Sequence, residues 1–324
     1  MITTVTLNAA IDKTYFVSGF AVGRANRVDS LLLRPGGKGI NVARVVKTLG
    51  AEALASGFTG GNAGRWIEEE LARLGLATDF VRVGGESRTT LVLVDRAAGN
   101  QTELREPSPD ISPREAGLML DKVKHLAERS RVIVFSGSLP SGLPAGFYGD
   151  LVTAAKGAGA LTILDTSGAP LAKGLEAGPY LIKPNEEELG DLEVKQDYGA
   201  GEDVRRIVGV SRRWVERGLS LVVVSLGAAG LVAVTEKGAW SVRPPRLSPV
   251  NTVGCGDALV AGCAVVFDRS PQDLVREAAE SVVLEALRLG TAAAASAALQ
   301  PCAGEVDLSE VARFLNEVSV ERVA

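Results

Sequence analysis

Five short runs set the strongest limit on what this chain can fold into: ITTVTL near the start, VIVFSG at 132–137, LTILDTS at 161–167, YLIKPN at 180–185 and LVVVSLG at 221–227. The longest of them are apolar with little alternation. A strand with one wet face alternates polar and apolar residues, whereas a continuous apolar run is a strand covered on both faces. Stretches with helical spacing lie between these runs, at Gly39–Leu49, Ala63–Leu74, Pro113–Glu128 and Tyr148–Lys156. The pattern predicts an α/β chain with a mostly parallel sheet flanked by helices. Ligands of such sheets bind at the carboxyl ends of the strands, where this sequence places SGSLP, LDTSG, IKPNEEE and SLGAAG.

Two regions break the alternation. Residues 12–34 and 80–104 read as short strands and turns without a helix (FVSGF, RVDSLLL, FVRVG, TTLVLVD, QTELRE). They are expected to form a small β-flap, a lid or a dimer surface, inserted in a single domain spanning 1–324. The alternative is a pair of edge hairpins with no further role.

Charge and rare residues narrow the function. A net charge of −4, with no block of like charge, argues against nucleic acid as the main partner. The strongly apolar run Ala258–Phe267 is too short to span a bilayer, and MITTVTLNAAID reads as a first strand, not a signal peptide. The single histidine, His125, lies in a charged helical stretch far from any nucleophile motif, which disfavours serine–histidine hydrolysis and histidine-based metal chemistry. Three cysteines, Cys255, Cys263 and Cys302, lack metal-ligand spacing, so free thiols and a cytoplasmic setting are expected. The chemistry is left to carboxylates, lysines, arginines and backbone amides.

Two glycine clusters can do such chemistry. In NTVGCGDALVAG (251–262), Gly254 and Gly256 flank Cys255 at a helix start, where successive N–H groups can converge on an anion. Asp257 follows, and from this fragment it is equally an ordinary helix cap or a working base. In RPGGKGINVAR (34–44), Gly36, Gly37 and Gly39 allow a tight turn from which Lys38 and Asn41 project. This stretch fails as a dinucleotide fingerprint, having no last small residue and no acid after the next strand, and no GxxxxGK[ST] P-loop occurs.

Together, GGKGINVARVVKTLG with Gly60, and NTVGCGDALVAG, resemble the two signature regions of the ribokinase-like, phosphofructokinase-B sugar kinases. TLNAAIDKT, GRANRV, ESRTTL, TELREPSPDIS, SGSLPSGLP, LDTSGAPL, LIKPNEEEL and VVVSLGAAG fit in order, so the resemblance covers nearly the whole chain. It implies a doubly wound ribokinase-like fold with a β-flap lid, and an ATP- and Mg2+-dependent kinase with K+ as a further candidate cofactor. Asp257 is then the base, and Gly254, Cys255 and Gly256 form the anion hole. Asp12, Arg27, Gly36, Gly37, Lys38, Asn41, Arg88 and Ser138 fall on the sugar-phosphate side. Lys183, Asn185, Ser225, Gly227, Gly254 and Gly256 fall on the nucleotide side, and Asn185, Glu188 and Asp165 on the metal. The expected partners are a small sugar phosphate, ATP and a second copy of the chain through the flap.

Within that family the sequence is most similar to the hexose-phosphate branch. Lys38 and TELREPSPDIS favour fructose 1-phosphate as substrate, with tagatose 6-phosphate and fructose 6-phosphate as alternatives. A non-catalytic sugar-phosphate binder is the remote reading. Cys255, Ala258, Ala9 and Ser108 depart from the family pattern. Cys255 in the anion hole, if exposed, predicts sensitivity to oxidants.

Overall fold

Along Val132–Ser136 every residue is buried, and successive side chains go to opposite cores: Val132 and Val134 to one, Ile133 and Phe135 to the other. That two-residue period against two apolar layers is the reason the run carries no polar alternation. The computed structural model describes residues 1–192 and 203–324.

In chain order the elements begin with β1 (Ile2–Thr6), β2 (Ala10–Val17), β3 (Ser30–Gly36), α1 (Lys38–Thr48), β4 (Ala53–Gly60) and α2 (Gly61–Arg73). Next come β5 (Ala77–Thr78), β6 (Val81–Val83), β7 (Arg88–Asp95), β8 (Asn100–Arg105), α3 (Pro113–Ala127), β9 (Val132–Ser136) and α4 (Phe147–Gly157). They continue with β10 (Leu161–Asp165), α5 (Gly168–Leu175), β11 (Leu181–Ile182), α6 (Glu186–Asp191), α7 (Asp203–Glu216) and β12 (Leu221–Ser225). Last are β13 (Leu231–Thr235), β14 (Gly238–Arg243), α8 (Cys255–Arg269), α9 (Gln272–Arg276), α10 (Glu280–Ala297), α11 (Leu308–Leu315) and β15 (Ser319–Arg322).

Among the described residues the main sheet has the order β15-β14-β13-β12-β11-β10-β9-β1-β4-β5, with β6 also paired to β4. The strands from β12 to β5 run parallel; β13, β14 and β15 extend one edge antiparallel. One core layer joins the sheet to α1, α2, α8, α10 and α11, the other to α3, α4, α5 and α7. The parallel strands therefore end together on one edge, at Thr6, Ser136, Asp165, Ile182 and Ser225.

A second sheet, β3-β2-β7-β8, stands apart as the expected flap. Its boundaries differ from the expectation at two places. The strand carrying Asp12 starts earlier, at Ala10, and FVRVG does not join the flap. Instead β6 pairs parallel with β4, because Val81 and Val83 are buried in the main core while Arg82 between them points out. YLIKPN also shortens, to the two residues of β11.

Helix α8 carries one glycine cluster and is buried from Asp257 to Phe267. Its seat against α10 depends on close backbone approach: a Cβ on Gly262 would come within 2.5 Å of the Gly290 Cα. Gly262→Val is therefore expected to lower unfolding free energy by on the order of 1–3 kcal/mol, the usual cost of overpacking. Equilibrium denaturant unfolding measures this, and wild-type stability would mean that the two helices can separate freely.

Candidate active site

The turn into α8 is built to leave amides free. Asn251 folds onto its own loop, its Oδ1 accepting from the Val253 N–H at 2.9 Å and its Nδ2 donating to the Pro301 carbonyl at 3.2 Å. Gly254 then takes the left-handed φ of 87° as N-cap, and no side chain caps the helix. First-turn N–H groups have no intrahelical partner, and among the described residues those of Gly254 and Gly256 make no hydrogen bond; the Cys255 N–H makes only a long 3.4 Å contact with the Thr252 carbonyl.

Asp257 does not serve as the cap. It is only 4% exposed, and its Oδ2 accepts from Asn41 Nδ2, in α1, at 2.9 Å. Burial and the nearby Asp165 charge push its carboxyl up, while the Asn41 hydrogen bond and the Lys38 and Lys183 ammonium groups pull it back, to about 7. A carboxyl poised near neutrality can take up a proton and release it again.

Asp165, at the end of β10, is 1% exposed and lies 3.3 Å from Lys183 Nζ and 3.6 Å from Lys38 Nζ. Ser136 donates to its other oxygen at 3.2 Å. Burial alone would raise the Asp165 carboxyl, but the two lysines outweigh it and hold it below the ordinary range. The same ion pair raises Lys38. Lys183 reaches past Asp165 to the anion turn, its Nζ only 3.1 Å from where a Cβ on Gly256 would stand. The Asp165 carboxylate thus serves first as counter-ion to two lysines.

Asn185 and Glu188 close a capping box on α6: Asn185 Oδ1 accepts from the Glu188 N–H at 2.7 Å, and Glu188 Oε2 from the Asn185 N–H at 2.9 Å. This leaves Glu188 Oε1 without a partner in that box, and the Glu188 charge also acts on Lys38. An isolated bridge sets Asn185 beside Ser225, which is followed by Gly227 in a single 3-10 turn. No cluster of three or more acidic, histidine or cysteine ligands occurs among the described residues. That donor set suits magnesium, which keeps its waters and is commonly held by one or two carboxylates together with nucleotide phosphates.

A second group of the expected residues gathers at the junction of β2, β7 and the turn into α1. The Asp12 carboxylate, in β2, lies on the Gly36 backbone so closely that a Cβ there would fall 2.1 Å from its Oδ2. Burial raises Asp12 to about 6 against the opposing pull of Arg88. Arg88, at the start of β7, donates to Asn8 Oδ1 and to Thr90 Oγ1, both at 3.0 Å. Asn8 in turn donates to Ser138 Oγ at 3.1 Å, so Arg88 and Ser138 are joined through a residue that sequence reasoning did not single out. Gly37, at φ 108°, packs on Thr6 and opens α1 with Lys38. Arg27 alone is not brought in; it is exposed in the loop before β3.

Two further features escaped the sequence. Arg44 is buried on the same helix as Asn41 and donates to the Ala303 carbonyl and to Glu305 Oε1, both at 2.9 Å. It fastens the 303–305 segment against Gly254, where a Cβ would sit 2.7 Å from Ala303 Cβ. Ser136 was missed because a buried serine in an apolar run carries no local signal. Cys255 corrects an expectation: it is half-buried, and burial with the Asp257 charge pushes its thiol up to about 11. A thiol so far from its thiolate is a poor target for mild oxidants.

Comparison with known proteins identifies relatives over nearly the whole chain. The model of the pfkB family of carbohydrate kinases matches residues 5–309. A tagatose-6-phosphate kinase of Staphylococcus epidermidis is 34% identical over 295 residues, covering 90% of this chain and 94% of that protein. Phosphofructokinase-2 of Escherichia coli, solved in complex with potassium, superposes with a TM-score of 0.86 at 28% identity over 98% of both chains. A Thermotoga maritima protein described as a possible 1-phosphofructokinase gives 0.85 at 28% identity, covering 100% of this chain and 99% of that one.

The raised Asp257 carboxyl makes a testable claim about stability. Its folded value of about 7 stands above the ordinary 3.8, so between these values the folded chain holds a proton that the unfolded chain has released. Stability from this group is full below the unfolded value and is lost as pH rises through the folded one. Asp257→Asn keeps an oxygen for Asn41 and removes the charge. It is expected to be more stable than wild type at about pH 8, by on the order of 2–4 kcal/mol, the gap closing toward about pH 4. Denaturant unfolding across pH measures it, and a less stable variant at high pH would contradict the assignment.

Proposed function

The chain belongs to the pfkB family of carbohydrate kinases, and on that premise we propose that it carries the terminal phosphoryl group of ATP to fructose 1-phosphate, giving fructose 1,6-bisphosphate, with Asp257 as base. It is a phosphotransferase with an alcohol acceptor, of the hexose-phosphate type. The observation that carries the mechanism is a nearly neutral, buried carboxyl at a bare helix N-terminus, beside a lysine.

Each residue has a task in that reaction. Asp257 accepts the proton of the sugar hydroxyl as its oxygen bonds to phosphorus and the bond to ADP breaks. Asn41 keeps the accepting carboxylate aimed and partly charged. The amides of Gly254, Cys255 and Gly256 receive the oxygens of the moving phosphoryl group, and Lys183 offsets its charge. Asp12, with the Gly36–Gly37 backbone, holds sugar hydroxyls, while Arg88, Lys38 and Ser138 receive the phosphate the substrate already bears. Arg27, exposed in the loop before β3, stays outside this group. Ser225 and Gly227 border the nucleotide. Glu188 and Asn185, with Asp165 behind the lysines, are the residues that would hold magnesium, which would supply positive charge against the nucleotide phosphates.

Lys38 and the TELREPSPDIS segment favour fructose 1-phosphate, while the Staphylococcus relative's name favours tagatose 6-phosphate as the second reading, and fructose 6-phosphate remains the third. The flap leaves Leu31 51% and Leu104 60% exposed, which supports a homodimer through that sheet. A cytoplasmic setting and a K+ requirement complete the proposal, the latter tested by exchanging K+ for Na+ in the assay.

Coupled ADP release with ATP–magnesium against the three ketohexose phosphates and free fructose tests the reading. We expect the highest kcat/KM for fructose 1-phosphate, and a loss of about 10²–10⁴-fold in kcat in Asp257→Ala. Preference for a 6-phosphate would overturn the substrate, and full turnover by Asp257→Ala would overturn the base. Arg88→Ala is expected to raise KM for sugar phosphates by roughly ten- to hundredfold, the worth of a lost charge-assisted hydrogen bond. Any turnover of free fructose, which has no phosphate to lose contact with, should change far less.

A further inference from the structure

At the opposite end of the sheet from the catalytic edge is a cavity of about 470 Å³. It opens where the amino ends of β9, β10, β11 and β12 meet the carboxyl ends of α4 and α8 and the helix α9. Its size falls within the range of small-molecule sites, roughly 300–1,000 Å³, well beyond what a few waters need.

The charge of its lining is one-sided. Arg131, Lys156 and Arg276 face the cavity and no carboxylate does, although the whole chain has 39 acidic residues against 35 basic ones. The acids of α9, Asp273 and Glu277, are not part of the lining. Arg131 donates to the Ser270 carbonyl, and Lys156 to the Ala177 and Gly178 carbonyls, the former at 2.8 Å. Those acceptors are uncharged, so they orient the two cations without neutralising them. Arg276 has no hydrogen-bond or ion-pair partner among the described residues.

Polar residues share the lining. Ser220 and Gln272 belong to it, as do Gly159, Gly178 and Gly218, with φ of 89°, 61° and 105°. Tyr180 and Phe267, edge to face at 5.3 Å, supply an apolar floor. Three unneutralised cations over such a floor suit an organic phosphate: guanidinium groups grip phosphate oxygens in pairs, and the aromatic floor accepts the carbon part.

We infer that this cavity is a second binding site, separate from the catalytic one, for a phosphate-bearing small molecule larger than inorganic phosphate. Its elements also reach the catalytic edge: β10 runs from Leu161 to Asp165, the strand after Tyr180 leads to Lys183, and α8 joins Phe267 to Asp257.

Titration calorimetry of the full chain with pyrophosphate tests it, comparing wild type with Arg276→Glu. The catalytic site is the same in both, so any difference belongs to the cavity. We expect a binding step in wild type that the variant weakens by roughly tenfold or more, while its kinase turnover without added pyrophosphate matches wild type. Arg276→Ala, which adds no new charge, should weaken the same step. Repeating the titration with AMP and with a hexose phosphate tells whether a nucleotide or a sugar supplies the phosphate. Isotherms indistinguishable between wild type and both variants, for every one of these anions, would overturn the inference whatever the kinase assay shows.

Discussion

The site depends on one buried ion cluster: the Asp165 carboxylate, 1% exposed, between the ammonium groups of Lys183 and Lys38. Burying a charge is costly unless it is paired, and removing one partner of such a pair commonly costs about 3–5 kcal/mol. Here the pairing also sets the field in which Asp257 ionises. Asp165 pushes Asp257 up and the two lysines draw it down. A lone buried aspartate would sit higher, and one facing the lysines without Asp165 would sit lower. The balance near neutrality comes from three charges fixed on three separate elements, β10, the segment after β11, and the start of α1.

The turn from β3 into α1 ties this cluster to the rest. Within six residues, Gly36 accommodates Asp12, Lys38 meets Asp165, and Asn41 holds Asp257. One turn farther along the helix, Arg44 fastens the segment that supports Gly254. A single stretch of backbone thereby sets Asp12, Asp165, Asp257 and Gly254 relative to one another. The flap leads straight into this turn, β2 and β3 being paired from Ala10 opposite Gly36 to Phe16 opposite Ser30.

The parallel strands, their flanking helices and the two glycine turns were legible in the sequence because each rests on local chemistry. Two-sided burial removes polar alternation from a strand, and a helix that must expose its first amides needs glycine before it. The reading erred where local signals were ambiguous. Phe80–Gly84 alternates like a flap strand, yet Val81 and Val83 find the main core on the side that matters. Cys255 looked exposed beside two glycines, but the segment after Cys302 packs over that turn.

The sequence by itself determined the fold class and the family, since hydrophobic period, turn glycines and family motifs are properties of neighbours along the chain. It left Asp257 open between helix cap and base. Only the tertiary structure excluded the cap, by bringing Asn41 from 216 positions away to hold the carboxylate and by leaving the helix without a side-chain cap. The same holds for Asn8 between Arg88 and Ser138, and for Asp165 as counter-ion to two lysines. Proton affinity and hydrogen-bond partnership depend on distances of a few ångströms between residues far apart in the chain, and those distances exist only once the chain has folded.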